Sequence, residues 1–342
     1  MHSKNIKKYL KSVMTTALAM LLCTAASGQS WVTLHKPARS LVTPEKLERE
    51  ISFLSDPVCQ GRRTGTRGNV EAAAWVSRRF NDAGLIPLGD SWSKTVKAED
   101  GTPCHNIMGF MSGSIKKAHP TQYVIVGAHY DHLGILEGKL YPGADSNASG
   151  VAALTSLADM FTMTRSIGIS FNCNLIFVAF DGKEKGLAGS CGLWEMIRDG
   201  KLKDPVNGTV ISKDKIAMVV NIDQIGSTLS PLNKNREDYI IMLGGHSITK
   251  SDMYMLETCN RNYDLNMDVG LSYYGSANFT KLFYRMSDQR VFVDNRIPSV
   301  MFTSGITMNN NKTWDETSTL DMEVLQKRIY LIYHWIDKIL LR

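Results

Sequence analysis

Several polar side chains of the kinds that bind metals stand directly after apolar runs in the sequence. They comprise one histidine, three carboxylates and a lysine: His129, Asp131, Lys183, Glu184 and Asp223. A further carboxylate, Asp145, lies in a turn that precedes a helical stretch. Imidazole nitrogen and carboxylate oxygen suit zinc, so the set predicts a zinc-type site. Strand ends and helix caps also attract Asp and Asn for structural reasons, which leaves each single residue ambiguous.

Short apolar runs must provide the strands that position this set. These runs hardly alternate with polar residues, and they cover 123–128, 175–180, 216–222, 239–243 and 299–303. Runs of this kind are typical of strands that are buried on both faces. Stretches with helical spacing of apolar residues lie around and between them, at 45–54, 69–83, 151–161, 187–197, 251–262 and 320–341.

The alternation of strands and helices predicts an α/β fold, with a mostly parallel mixed sheet sandwiched by helices. We find no repeats and no low-complexity linker, so residues 29–342 are expected to form a single domain. Ligands of such sheets bind beyond the carboxyl ends of the strands. The polar residues that follow the apolar runs are therefore expected to meet at that edge.

The first 28 residues have the pattern of a secretory signal peptide, with four lysines, a short apolar core and small residues before Gln29. Two alternatives are a lipoprotein signal at Cys23, where Leu22 is larger than such signals prefer, and a buried N-terminal helix. The segment is too short to cross a bilayer as a mature helix. We expect the protein to be exported to the periplasm or the medium, with no membrane span in the mature chain.

Much of the formal net charge of +6 lies in this segment, because it contains four lysines and no acidic residue. The remaining chain has 35 basic and 33 acidic residues. No run of like charge with interleaved aromatic residues remains, which excludes a nucleic-acid surface. Five cysteines follow the segment, without CxxC spacing. They allow up to two disulfides, or scattered buried thiols.

Beyond these patterns, seven stretches resemble the secreted bacterial zinc aminopeptidases of metallopeptidase family twenty-eight, which are leucyl aminopeptidase-like. They are FLSDPVCQGRRTGT, VIVGAHYDHLG, PGADSNASGVAAL, FVAFDGKEKGLAGS, NIDQIG, MSDQRVF and IPSVMFTSG. Glutamate carboxypeptidase II and glutaminyl cyclase are distant relatives of that family. The resemblance implies the zinc-exopeptidase (phosphorylase/hydrolase-like) architecture and a two-zinc centre that activates water for peptide hydrolysis.

Four site roles follow from this resemblance. His129 and Asp223 match ligands of one metal, and Glu184 matches a ligand of the other. Asp131 matches the carboxylate that orients the histidine ring.

Three positions depart from the family pattern. Ser146 stands where the family has its bridging Asp, with Asp145 as a neighbouring substitute of lesser fit. Lys183 takes the place of the catalytic glutamate that shuttles the proton. Asn311 stands where the last histidine ligand is expected, and no histidine lies between Ser247 and Tyr333. In addition, the common Ser-Asp-His is Ser-Asp-Gln at 287–289.

The charge of Lys183 weighs heavily against a two-zinc centre. An ammonium about 5 Å from a divalent ion costs roughly 6–7 kcal/mol at an effective dielectric constant of ~20. This is about half of the ~10–16 kcal/mol with which structural zinc binds. Zinc is thus implied by the family, but a weak or absent dizinc centre is predicted from these residues.

Three functions remain open from the sequence. The first is a non-catalytic peptidase homologue that retains a cleft for a peptide or a small peptide-like ligand. The alternative is an active metallo-aminopeptidase that releases N-terminal residues with a rearranged or single metal site, using Asp145 or Asp288. The third is a different reaction in the same cleft, such as cyclisation, although the single-zinc cyclases of this superfamily keep the Asp and His positions that are replaced here.

Overall fold

The computed structural model of the chain describes residues 33–114 and 119–342. The predicted signal segment 1–28, with Cys23, lies outside the described residues. In the part that is described, no helix is long and apolar enough to cross a membrane.

The main sheet brings together strands from most of the chain. In the described residues it has nine strands, in the order β1-β3-β7-β4-β8-β11-β9-β10, with β2 also paired to β3. Strands β5 and β6 form a separate small sheet. The strands are β1 (Ile86–Pro87), β2 (Ser93–Lys97), β3 (Pro103–Met111), β4 (Gln122–His129), β5 (Gly134–Leu136), β6 (Lys139–Tyr141), β7 (Cys173–Phe180), β8 (Ile216–Ile222), β9 (Tyr239–Leu243), β10 (Asp268–Gly270) and β11 (Ser299–Thr303).

The predicted mixed, mostly parallel sheet is confirmed at its centre. Strands β7, β4, β8 and β11 are parallel neighbours, so their carboxyl ends lie at one edge. Strand β3 is antiparallel to β7, and β9 is antiparallel to β11. Strand β3 was not predicted, because polar Asn106 interrupts its apolar run. In the fold, this buried side chain donates to the Gly189 carbonyl (2.8 Å) and accepts the Asp181 N–H (3.1 Å).

All six predicted helices are present, within a few residues at each end, and two short helices join them. They are α1 (Pro44–Ser55), α2 (Arg67–Asp82), α3 (Gly150–Ser166), α4 (Ala188–Arg198), α5 (Lys250–Asn262), α6 (Ala277–Tyr284), α7 (Gln289–Asp294) and α8 (Met322–Leu340). Side chains cap several N-termini, as at Thr43, whose hydroxyl accepts the Lys46 N–H. Thr249 and Asp252 form a reciprocal capping box on α5.

The core has two layers because successive side chains of the central strands point to opposite faces. Val124 and Val126 of β4 face the layer that packs against α1, α2, α3, α5 and α8. Tyr123 and Ile125 face the other layer, which packs against α4 and α7. The edge of the sheet at the carboxyl ends of the parallel strands lies between these helical layers and carries polar side chains.

The five cysteines of the described chain do not pair with one another. Cys191 is exposed, and the other four thiols are buried. The structure therefore follows the second of the two alternatives, scattered thiols.

Candidate functional site

The carboxyl edge of the parallel strands brings two predicted ligands into contact. His129 ends β4, and Asp223 follows the neighbouring strand β8. Nε2 of His129 lies 3.3 Å from Oδ1 of Asp223, and both residues are buried. The fold thus places side by side two residues that match ligands of the same metal in the family pattern.

This contact has a strong electrostatic consequence. Burial by itself lowers the pKa of the His129 imidazole, but the Asp223 carboxylate outweighs it and raises the pKa to about 10. Burial likewise opposes ionisation of Asp223, whereas His129 and Lys183 hold its pKa below the usual range. The pair therefore exists as an imidazolium and a carboxylate, with the charge on each group neutralised by the other.

Asp131 is held by the loop that carries the predicted catalytic lysine. Its two carboxylate oxygens accept the backbone N–H groups of Lys183 and Glu184, each at 3.0 Å. Nδ1 of His129 lies 3.0 Å from the Asp131 carbonyl oxygen and 3.7 Å from its Oδ1. Asp131 thus touches the His129 ring mainly through its backbone, while its carboxylate anchors the 183–184 turn.

Lys183 and Glu184 form an ion pair at the mouth of the site. Nζ of Lys183 lies 2.8 Å from Oε1 of Glu184, with the side chains 16% and 28% exposed. Burial lowers the pKa of the lysine ammonium, but Asp223 and Glu184 outweigh burial and raise it. The lysine is therefore a cation at neutral pH, and it cannot accept a proton as a general base would.

Asp145 does not join this group. Its Oδ1 accepts the backbone N–H groups of Gly226 (2.8 Å) and Ser227 (3.2 Å). Among the described residues, no hydrogen bond or ion pair connects its carboxylate to His129, Glu184 or Asp223. Burial, followed by the nearby Asp315 carboxylate, raises the pKa of Asp145 to about 7. Its contacts are those of a loop-bracing side chain.

The turn that should supply a bridging carboxylate offers only a hydroxyl. Ser146 is fully buried, and its Oγ has no hydrogen-bond partner within the described chain. The Asp315 carboxylate accepts the N–H groups of Asp145 (2.8 Å) and Ser146 (3.1 Å), which fixes the turn. A hydroxyl in place of a carboxylate removes one negative charge from the position between the two metals.

Asn311, in place of the last histidine, is exposed and has a left-handed backbone conformation (φ 56°). It has no side-chain hydrogen bond to the group around His129 in the described residues.

Asp288 is buried near His129, Asp131 and Asp223, and burial raises its pKa to about 6.

Two further residues shape the site, and their roles were not predicted from the sequence. The Ser287 hydroxyl donates to Oδ2 of Asp223 at 2.5 Å, so both Asp223 oxygens are engaged. Arg62 is fully buried and donates to four carbonyl oxygens, those of Leu54, Tyr130, Pro142 and Gly143. It thereby joins the loops after β4 and before α3. No local pattern marks Arg62, because its partners lie 8 to 81 positions away.

These residues do not fit a dizinc centre. In residues 33–114 and 119–342, no group of three or more His, Cys, Asp or Glu side chains is arranged to hold a metal ion. The surviving ligands are paired instead, His129 with Asp223 and Glu184 with an ammonium. The Lys183 charge next to both carboxylates would oppose a divalent cation there.

The fold is shared with known exopeptidases and a cyclase. BSAP, a zinc aminopeptidase from Bacillus subtilis, superposes with a TM-score of 0.64 at 13% identity, covering 88% of this chain and 95% of that one. Porphyromonas gingivalis glutaminyl cyclase superposes with a TM-score of 0.61 at 17% identity, covering 87% and 99%. At these identities the likeness shows the fold alone.

Sequence comparison extends the relationship. A probable zinc metalloprotease of Pyrenophora tritici-repentis is 24% identical over 196 residues, which are 53% of this chain. The chain spans only 40% of that relative's length. The sequence profile of peptidase family M28 matches residues 106–336, well over half of the chain. With the fold in agreement, the chain belongs to peptidase family M28.

Proposed function

We propose that this protein is an exported, non-catalytic member of the M28 family that keeps its cleft for a peptide or a small peptide-like ligand. The observation that carries the proposal is the ion pair between Lys183 and Glu184. It places a fixed positive charge where the family pattern needs a carboxylate, beside a residue that matches a metal ligand.

Four charged side chains of the site form two pairs of opposite charge. Imidazolium His129 faces Asp223, and the Lys183 ammonium bonds Glu184 and lowers the pKa of Asp223 as well. An ammonium thus supplies positive charge that a metal supplies elsewhere in the family. With a lysine cation in the position of the general base, the cleft retains groups that bind polar peptide atoms but lacks the arrangement with which the family activates water.

The direct test is metal analysis of purified protein that begins at Gln29, after equilibration with zinc and gel filtration. We expect zinc far below one ion per chain, and no hydrolysis of aminoacyl chromogenic substrates with added Zn²⁺ or Co²⁺. Near-stoichiometric zinc, or turnover that is abolished by Glu184→Ala, would overturn the proposal in favour of an active metallo-aminopeptidase.

A restored-site variant sharpens this test. Ser146→Asp, Lys183→Glu and Asn311→His together return the family residues, and we expect this variant to bind more zinc than the wild type. The matched control carries Ser52→Asp, Lys213→Glu and Asn235→His, which make the same three changes at exposed positions outside the stretches that match the family. Equal zinc binding by the wild type, variant and control would contradict the role given to these three positions.

Export is tested separately by cell fractionation and N-terminal sequencing. We expect a mature chain that begins at Gln29 outside the cytoplasm. A lipid-modified N-terminus at Cys23 would instead support the lipoprotein alternative.

A further inference from the structure

A cavity lies at the opposite edge of the sheet from His129 and Asp223. Its floor is near Gly244, which directly follows β9. Because β9 runs antiparallel to β11, the end of β9 lies beside Ser299 at the start of β11. Asp223, by contrast, lies at the far end of β11, where its N–H donates to the Phe302 carbonyl. The two sites are thus separated by the length of a strand. We call this second site the rear cavity.

The rear cavity has a size that suits a small molecule. Its volume is about 680 Å³, within the range of about 300–1,000 Å³ that is common for ligand sites. Helices α6 and α7 form its sides, and its wall includes Ala277, Tyr284 and Val293. The Tyr284 ring lies over Gly244, whose positive φ of 100° and lack of a Cβ allow this close approach.

The wall is mostly apolar, and the polar group of Tyr284 is already satisfied. Its hydroxyl donates to the Ser299 carbonyl at 2.6 Å, so the face of the ring is left for a ligand. Val293 packs against the small core cluster that contains Tyr284 and Leu243. An apolar ligand would therefore replace water against carbon surface without breaking a hydrogen bond.

The charged groups around the rear cavity leave cations in excess. Arg285 is bound on both guanidinium nitrogens by Asp294, at 2.8 and 3.0 Å, and Arg290 shares the same carboxylate at 3.5 Å. Lys281 also lines the cavity, and no carboxylate within the described residues forms an ion pair with it. It lies on the exposed side of α6, at the rim. A ligand with an anionic head at the rim and an apolar body inside would match this arrangement.

We propose that the rear cavity binds a small monocarboxylate with an apolar chain, with its carboxylate on Lys281 and its chain against Tyr284 and Val293. The site is independent of the cleft at His129. The match of an apolar wall with a single uncompensated ammonium favours an anionic amphiphile over an uncharged or cationic one.

The test is isothermal titration of the purified mature protein with octanoate, octanol and octylammonium, which share one apolar chain. We expect octanoate to bind more tightly than the other two. Lys281→Gln should weaken octanoate binding by about tenfold, the loss of one charge-assisted contact, while leaving octanol unaffected. Lys213→Gln, an exposed lysine outside the cavity, is the matched control and should leave all three affinities unchanged.

A second variant tests the location. Ala277→Trp places a large side chain at the wall and should abolish octanoate binding, with circular dichroism and thermal unfolding confirming the fold. Equal binding of octanoate and octylammonium, an unchanged affinity in Lys281→Gln, or full binding by folded Ala277→Trp would each overturn the proposal.

Discussion

The ion pair of Lys183 with Glu184 can be tested by its contribution to stability. Two unit charges 2.8 Å apart attract each other by about 6 kcal/mol at an effective dielectric constant of about 20. Desolvation of both groups offsets much of this attraction. Lys183→Met leaves Glu184 without its partner and removes one of the two cations near Asp223, the other being His129. Because the pair is partly buried, we expect the free energy of unfolding to fall by about 2–3 kcal/mol.

The neighbouring pair of Lys185 with Asp100 provides the control. Its atoms are 2.6 Å apart, but the side chains are 26% and 52% exposed. Water screens this pair, so Lys185→Met should cost at most about 1 kcal/mol. Urea unfolding at constant pH measures the free energy of unfolding of both variants. The comparison is valid if the slope of this free energy against urea concentration, the m-value, is the same for both.

A double-mutant cycle with Glu184→Gln isolates the interaction from the loss of the lysine side chain. We expect a coupling energy of about 1–2 kcal/mol between positions 183 and 184. A cost for Lys183→Met no larger than that for Lys185→Met, together with zero coupling, would refute the view that this ammonium stabilises the carboxylates of the site.

Three further predictions follow from buried groups. Arg62→Lys should lower the free energy of unfolding by about 3 kcal/mol, because an ammonium cannot donate to all four carbonyls. The control Arg63→Lys, at an exposed position, should stay within about 0.5 kcal/mol of the wild type in the same urea assay. Asp145→Ala should cost about 2 kcal/mol by leaving the Gly226 and Ser227 N–H groups unpaired, without altering the zinc content measured by mass spectrometry. Burial lowers the pKa of His334 to about 2, whereas the unfolded chain has a value of about 6.5, so the unfolded state binds the proton first as pH falls. This residue should therefore lower the free energy of unfolding of the wild type below pH 6.5 by up to about 1.4 kcal/mol per pH unit. His334→Phe should show a shallower decrease. Equal dependence of thermal stability on pH in the two proteins would contradict this.

Central strands were predictable because burial on both faces leaves a continuous apolar run. Strands β8, β9 and β11 have the predicted bounds for this reason. Strand β3 was not predicted, because its buried Asn106 is satisfied by partners from β7 and α4 that only the folded chain supplies. Helix α6 was also not predicted, since it is only eight residues long and its surface is largely exposed.

The contact between His129 and Asp223 was predictable, because both follow parallel strands whose carboxyl ends meet at one edge of the sheet. The local sequence is sufficient to locate those strands. The departures at Ser146, Lys183 and Asn311 were likewise visible as residue types in a pattern. The orientation of Asp145 was not, because its carboxylate could have turned toward the metal position or toward the backbone of residues 226 and 227.

The sequence by itself determined the family resemblance, the alternation of strands and helices, and the loss of two carboxylates and a histidine from the site pattern. These features depend on residue type and spacing, which are local properties. Only the tertiary structure decided which charges neutralise one another, that Arg62 donates to four backbone carbonyls in three segments, and that Lys281 stands uncompensated beside an apolar cavity. Pairing energies depend on distances between atoms far apart in the chain, and on the water excluded from between them, and neither is encoded by spacing alone.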